Sequence, residues 1–239
     1  MKTRFKFNKT DHVIVLTGAG ISAESGLKTF RDHDGLWENH KVENVCTLRA
    51  FESNPQLVWD FYKQRYKKLD EVKPNPGHFA LQKLEKFLGE NFMLITQNID
   101  GLHQAAGNKR VIEMHGSLNS SFCTECSKDF AMQEIYMKHD IPVCTNCGGK
   151  LRPDIVWFGE IPYFMNEIDA ILRSANYFLV AGTSGTVQPA ASLVYLAKAN
   201  GAKTIGVNLQ PPQNLMFIDE FHMGKSGEML PELVDLWIN

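Results

Sequence analysis

With 239 residues, 44% of them hydrophobic and 22% charged, and a formal net charge of -2, the chain has the make-up of an ordinary globular protein able to bury a sizeable core. That balance argues against a nucleic-acid partner, and no stretch approaches the roughly 20 consecutive apolar residues of a membrane span. The basic opening MKTRFKFNKTDH reaches Asp11 before any long apolar run, so no cleaved signal is expected, and four of the five cysteines fall in two close pairs, which favours reduced thiolates on a metal and a cytoplasmic location.

In chain order, the first short apolar run, 13–16, reads as a buried strand that opens into Gly18-Ala19-Gly20, with Ala23 completing G-x-G-x-x-A. This spacing lets a backbone approach a pyrophosphate, with exposed amides and a following helix N-terminus as the anion site; a plain glycine turn is the equally weighted reading of the motif by itself. A dinucleotide fingerprint also wants an acid about 20 residues further on, at the end of the next strand. Glu38 and Glu43 lie at about that distance but no strand precedes them, so either the site is not a nucleotide site or another part of the chain holds the ribose.

The segment 38–89 reads as helix only, with Asn54-Pro55 and Asn75-Pro76 as start signals. Within it Trp59, Tyr62, Tyr66 and Leu69 form a core-facing stripe, with Arg65 snorkelling at its edge. Further strands are expected at 92–96, 111–114, 155–158, 177–181 and 204–207, with a helix at 186–200 opening at Gln188-Pro189. Strands alternating with helices predict an α/β fold, a Rossmann-like parallel sheet domain. The helical segment and the cysteine-bearing 120–150 are expected to form a smaller inserted domain, giving 1–38, 90–119 and 151–239 as the sheet domain and 39–89 with 120–150 as the small one.

Polar residues cluster where strands end, which is where open α/β sheets bind ligands. Gln97, Asn98, Asp100 and His103 follow one strand, His115 and Gly116 another, Gly182-Thr183-Ser184 a third and Asn208 a fourth. His103, in a helical context, reads as a structural histidine; His115 leaves a strand beside glycine, where a near-neutral pKa suits a general base. Cys123-x-x-Cys126 and Cys144-x-x-Cys147 are separated by 17 residues, the spacing of a four-thiolate zinc site. Four thiolates fill a tetrahedral ion, so that zinc should be structural. Cys46 is left over as a buried bystander.

Taken together, GAGISAESGLKTFR (18–31), TQNIDGLHQAAG (96–107), MHGS (114–117), the two cysteine pairs, RPDIVWFGE (152–160), GTSGTVQPAA (182–191) and VNL (207–209) resemble the sirtuins, the NAD-dependent protein-lysine deacylases. The resemblance runs in order over nearly the whole chain. It implies NAD held without an acidic ribose residue, one structural Zn2+ in the small domain, and acylated-lysine proteins or peptides as partners. It implies transfer of the acyl group to ADP-ribose with release of nicotinamide, His115 being the base that activates a ribose hydroxyl. The implied cofactor contacts are Gly18, Ala19, Gly20, Ile21, Ser22, Ala23, Phe30, Arg31, Trp37, Gln97, Asn98, Ile99, Asp100, Gly182, Thr183, Ser184, Asn208, Leu209 and Ser226. Val156, Phe158 and Gly159 match the strand that pairs with the substrate backbone. Tyr62 and Arg65 match the pair that recognises an acidic acyl chain in the desuccinylase-like subgroup, which Thr29 and Gly185 also resemble. Two other classes stay open: a dehydrogenase, which should carry the missing ribose acid, and a non-catalytic zinc-ribbon binding protein. Mono-ADP-ribosyl transfer is a closer competitor, because it shares the NAD cleavage step.

Overall fold

A computed structural model describes residues 2–28, the backbone of 36–37, and residues 40–137 and 141–239. In chain order its first part contains β1 (Val13–Thr17), α1 (Gly20–Ala23), the small hairpin β2 (Leu36–Trp37) and β3 (His40–Lys41), α2 (Val42–Val45), α3 (Leu48–Ser53), α4 (Pro55–Lys68), α5 (Pro76–Leu88), β4 (Phe92–Thr96), α6 (Leu102–Ala105) and β5 (Val111–Glu113). There follow β6 (Gly116–Cys123), β7 (Asp129–Ala131), α7 (Met132–Ile135), β8 (Leu151–Ile155), α8 (Met165–Leu172), β9 (Tyr177–Ala181), α9 (Leu193–Ala199), β10 (Lys203–Asn208), β11 (Glu220–Met223) and α10 (Ser226–Ile238).

Six strands form one parallel sheet in the order β11-β10-β9-β1-β4-β5, with β1 at its centre. The sequence of β1 is apolar throughout because both faces are covered, as parallel sheets require. Val13, Val15, Leu94, Leu179 and Ile205 face α5 and α10, whereas Ile14, Leu16, Ile95, Phe178 and Val180 face α8 and α9. Successive residues thus feed opposite cores, the period-two alternation of a strand. β11 has no strand-like apolar signature in the sequence; it is an edge strand with only His222 buried. The helix expected to open at Gln188-Pro189 forms a single 3-10 turn at Ala190–Ser192 before α9 begins.

A second unit is built on the antiparallel sheet β7-β6-β8, against which α2, α3, α4 and α7 pack around Trp59, Phe61, Tyr62, Leu118, Leu151 and Trp157. Three expected boundaries are corrected here, the first being that the second insert starts with β6 at Gly116 and not at 120. α5 belongs to the parallel-sheet unit, because Ala80, Leu81, Leu84 and Leu88 lie in its core. The run 155–158 is not a strand of the parallel sheet: β8 ends at Ile155 and pairs with β6, so the second insert extends beyond 150.

The chain crosses between the units at Gly116, which pairs with Ile155 and has φ +81°. A Cβ there would stand 2.0 Å from the Asp154 carbonyl oxygen, so glycine is demanded by the close approach as well as by the left-handed backbone. Among the described residues no helix is long and apolar enough to cross a membrane. Gly201 also has positive φ, but nothing lies within 4 Å of its missing Cβ. Gly116→Ala is therefore expected to lose about 3 kcal/mol or more in urea unfolding, and Gly201→Ala only about 1 to 2; equal losses would mean that the Asp154 backbone yields freely.

Candidate functional site

Because all six strands of the large sheet run the same way, their carboxyl ends deliver side chains to one edge. From β1 come Gly18 to Ala23. Here the glycines answer first to packing: the Gly20 amide donates to the Gly182 carbonyl at 2.7 Å, and a Cβ on Gly20 would meet that oxygen at 2.7 Å. The helix that follows, α1, is a single turn beginning at Gly20, so the expected helix N-terminus is reduced to that turn, with the half-buried Ala19 before it. Ile21 points into the core, Ser22 is buried and Ala23 is exposed. Phe30, Arg31, Thr29 and the Trp37 side chain lie outside the described residues.

Ser22 joins this loop to the end of β4. Its hydroxyl donates to Asp100 Oδ2 at 2.7 Å and accepts from Asn98 Nδ2 at 3.0 Å. The Asp100 carboxylate also accepts the Leu102 amide, yet burial raises its pKa, and the charge of Arg65 works in the opposite direction. Gln97 Nε2 donates to Thr183 Oγ1 at 3.2 Å, tying β4 to the loop after β9. Ile99 is buried and holds the first residues of the small sheet through the Leu118 amide.

His115 stands just before the Gly116 crossing. Its Nδ1 donates to the Gln97 carbonyl oxygen at 3.2 Å, which leaves the Nε2 lone pair as the basic site. Burial lowers its pKa below the ordinary histidine range, and the Gln97 carbonyl only partly opposes this. The ring is thus neutral at pH 7, as a general base must be. His103 and His78 are also kept neutral by burial, His78 at about 4; His103 Nε2 lies 3.0 Å from Thr17 Oγ1, a structural role.

On the other side of β1, Asn208 Nδ2 donates to the carbonyls of Thr183 and Gln210, leaving its Oδ1 as an acceptor for a hydroxyl. Ser184 Oγ lies 2.6 Å from Thr186 Oγ1, and Leu209 is exposed. Ser226 is buried at the start of α10, packed against Gly77. In an ordinary dehydrogenase a carboxylate would grip the ribose at such strand ends; here the groups leaving β4, β9 and β10 directly are neutral amides and hydroxyls.

The residues expected to pair with substrate begin beside His115, since the Val156 amide donates to its carbonyl oxygen at 3.0 Å. Phe158 and Gly159 are exposed beyond it. Arg65 lines a cavity of about 230 Å³ together with Gln64, Lys68 and His40, against apolar walls from Phe61, Leu69 and Leu118. Gln64 and Lys68 escaped the sequence reading, although they neighbour Arg65 in sequence and along the helix. Tyr62 is placed differently from expectation: it is fully buried, donating to Cys46 Sγ at 3.4 Å and accepting from Trp157 Nε1 at 3.1 Å. Cys46 is thus bonded and not merely a bystander, and burial pushes its thiol up to about 11.

The sulfurs of Cys123, Cys126, Cys144 and Cys147 lie within 4.8 Å of one another, with 3.5 Å between Cys123 and Cys147 and 3.7 Å between Cys126 and Cys144. A tetrahedral zinc with bonds of about 2.3 Å would set its sulfurs about 3.8 Å apart, so the cluster fits that ion. The thiols cannot all ionise unaided. The Lys128 amide and the Cys147 thiol draw Cys126 down to about 6; at Cys147 the lowering bond from the Gly149 amide is outweighed by the Cys123 and Cys126 thiols, which push it up to about 12. A dication would remove that conflict.

Residues 18–189 match the model of the Sir2 family. A Pasteurella multocida protein named NAD-dependent protein deacylase is 48% identical over 225 residues, covering 93% of this chain and 96% of its own. A Pyrococcus furiosus protein of the same name is 45% identical over 234 residues, covering 95% and 93%. A solved Sir2 homolog-NAD complex has a TM-score of 0.88 at 40% identity, covering 95% of this chain and 90% of that one. A Sir2-p53 peptide-NAD+ complex has a TM-score of 0.82 at 32% identity, covering 94% and 92%.

The state of His115 is directly measurable. Its imidazole should titrate by NMR below the ordinary histidine value of about 6.5; titration at or above that value would contradict a neutral base held by burial.

Proposed function

The chain belongs to the Sir2 family, and from that premise we propose that it is an NAD-dependent protein-lysine deacylase that removes acidic acyl groups such as succinyl as well as acetyl. The observation that carries the reading is His115, neutral, oriented by Gln97, and bonded through its own carbonyl to Val156 at the start of the segment expected to bind the peptide. When bound, NAD supplies an electrophilic ribose carbon, nicotinamide as leaving group, and a hydroxyl that takes the acyl group away.

The chain's residues would divide the work. Gln97, Asn98 and Asp100 would orient the nicotinamide end, with Ser22 fixing Asn98 and Asp100 relative to each other. Thr183, Ser184 and the Asn208 acceptor would meet ribose hydroxyls, and the Ala19 amide would face the phosphates. Nε2 of His115 would take the hydroxyl proton. Removing such a base costs about a hundredfold to ten-thousandfold in rate. A backbone pairing at Val156 to Gly159 would bind peptides with little sequence preference.

The cysteine cluster would hold one structural Zn2+, closed to substrate, and a reduced four-thiolate site suits the cytoplasm. The acyl group would enter the cavity beside Arg65, whose guanidinium can grip a carboxylate with two parallel hydrogen bonds. Tyr62 would then act by bracing Trp157, not by reaching the acyl group.

The test is kcat/KM on acetyl- and succinyl-lysine peptides with NAD. His115→Ala should lose turnover on both while keeping fold and zinc. Arg65→Met should cut desuccinylation roughly tenfold to a hundredfold more than deacetylation, the worth of a charged hydrogen bond pair. Equal losses on both substrates would return Arg65 to a structural role.

A further inference from the structure

We propose that Arg152 is a positioning residue that shapes the peptide-binding segment 156–160 and ties it to the cysteine-bearing sheet. The proposal rests on the deacylase reading above.

Arg152 lies on β8, opposite Phe122 and next to the Cys123–Leu151 pair, so it is one step from a cysteine of the cluster. The residue is buried, at 6% exposure, with Cζ 3.6 Å from the Trp157 ring centre and 5.1 Å from that of Phe122. Nη1 donates to Glu160 Oε1 at 2.7 Å and Nη2 to Glu160 Oε2 at 2.9 Å, a bidentate pair; Nη2 also donates to the Ile155 carbonyl at 2.8 Å. Glu160 in turn accepts the Trp157 amide at 2.8 Å, and its own amide donates to the Trp157 carbonyl at 2.9 Å. The chain from 155 to 160 is therefore wrapped round one cation.

The same segment is held from a second side. The Trp157 indole donates to Tyr62 on α4, and the Phe158 amide donates to the Cys46 carbonyl at 3.0 Å. With the amides of Val156, Trp157, Phe158 and Glu160 all bonded inward, the Val156 carbonyl and the Gly159 amide make no hydrogen bond among the described residues. Gly159 is exposed with φ +93°. One acceptor and one donor, on a turn closed by the Glu160 amide, are thus left for the backbone of an incoming peptide. Their presentation depends on the turn that Arg152 and Glu160 close. A fork is required for this: lysine would keep the charge but lose the paired geometry.

The experiment is steady-state kinetics of the full chain, varying acyl-peptide at saturating NAD and NAD at saturating peptide, for wild type, Glu160→Gln, Arg152→Lys, Arg152→Met and the Arg152→Met/Glu160→Gln double variant, with zinc content measured on each. Glu160→Gln and Arg152→Met should raise the peptide KM about tenfold or more, as loss of a charge-assisted pair implies. The NAD KM should stay within about twofold and zinc at about one per chain. Arg152→Lys should fall between, and the double variant should be no worse than the worse single one. Glu160→Gln keeps the side-chain shape and carries the test if the Arg152 variants fold poorly. An unchanged peptide KM, a parallel rise in both KM values, or loss of zinc in Glu160→Gln would overturn the proposal. A wild type without NAD-dependent turnover would overturn the deacylase reading, and this proposal with it.

Discussion

At residue 116 the backbone passes so close to the Asp154 carbonyl that no side chain can stand there, and the arrangement of the molecule follows from that approach. One residue earlier, in the turn that leaves β5, the chain delivers His115 to the edge where the other strands end. One residue later it has entered an antiparallel sheet whose far end carries four cysteines. The returning strand β8 passes back beside the same point, so the Val156 amide reaches the His115 carbonyl. His115 and the segment that starts at Val156 are thereby neighbours by topology. No flexible loop has to bring them together.

The two units contribute different chemistry to this junction. Around the Asp100 carboxyl group the parallel sheet supplies neutral polar groups: a histidine kept unprotonated by burial, amides at Gln97, Asn98 and Asn208, and hydroxyls at Ser22, Thr183 and Ser184. Neutral groups can bind a polyhydroxylated cofactor without the cost of burying unpaired charge. The small unit supplies cations: Arg65 lining a cavity, and Arg152 enclosed by two aromatic rings and a carboxylate. A buried ion pair of that kind adds little net stability compared with apolar packing, but it fixes one geometry. Its value lies in holding the turn at 155–160.

Much of this was legible in the amino-acid sequence wherever a local rule decided the outcome. The strands at 13–17, 92–96 and 177–181 are apolar runs too short for helices, and Asn54-Pro55 and Asn75-Pro76 do start helices, Asn75 forming a full capping box. The cysteine spacing indicated a cluster, and four sulfurs converge. What escaped depended on contacts between distant parts of the chain. The run 155–158 has strand composition, but its amides are spent on His115, Cys46 and Glu160 and not on a ladder of the parallel sheet. α5 reads like its neighbours in sequence, yet its apolar face fits α10. Tyr62 has the right spacing to accompany Arg65, but Trp157 and Cys46, 95 and 16 positions away, claim its hydroxyl. G-x-G-x-x-A suggested a nucleotide loop with a helix behind it; the helix is one turn, and the glycines are demanded by Gly182.

The central claim is that His115 and the converging strand ends transfer an acyl group from lysine to a fragment of NAD. Mass spectrometry of the products from a succinyl- or acetyl-lysine peptide and NAD tests it most directly. The account predicts free nicotinamide, deacylated peptide and acylated ADP-ribose in equal amounts. ADP-ribose attached to protein, or reduced cofactor with the peptide still acylated, would contradict it.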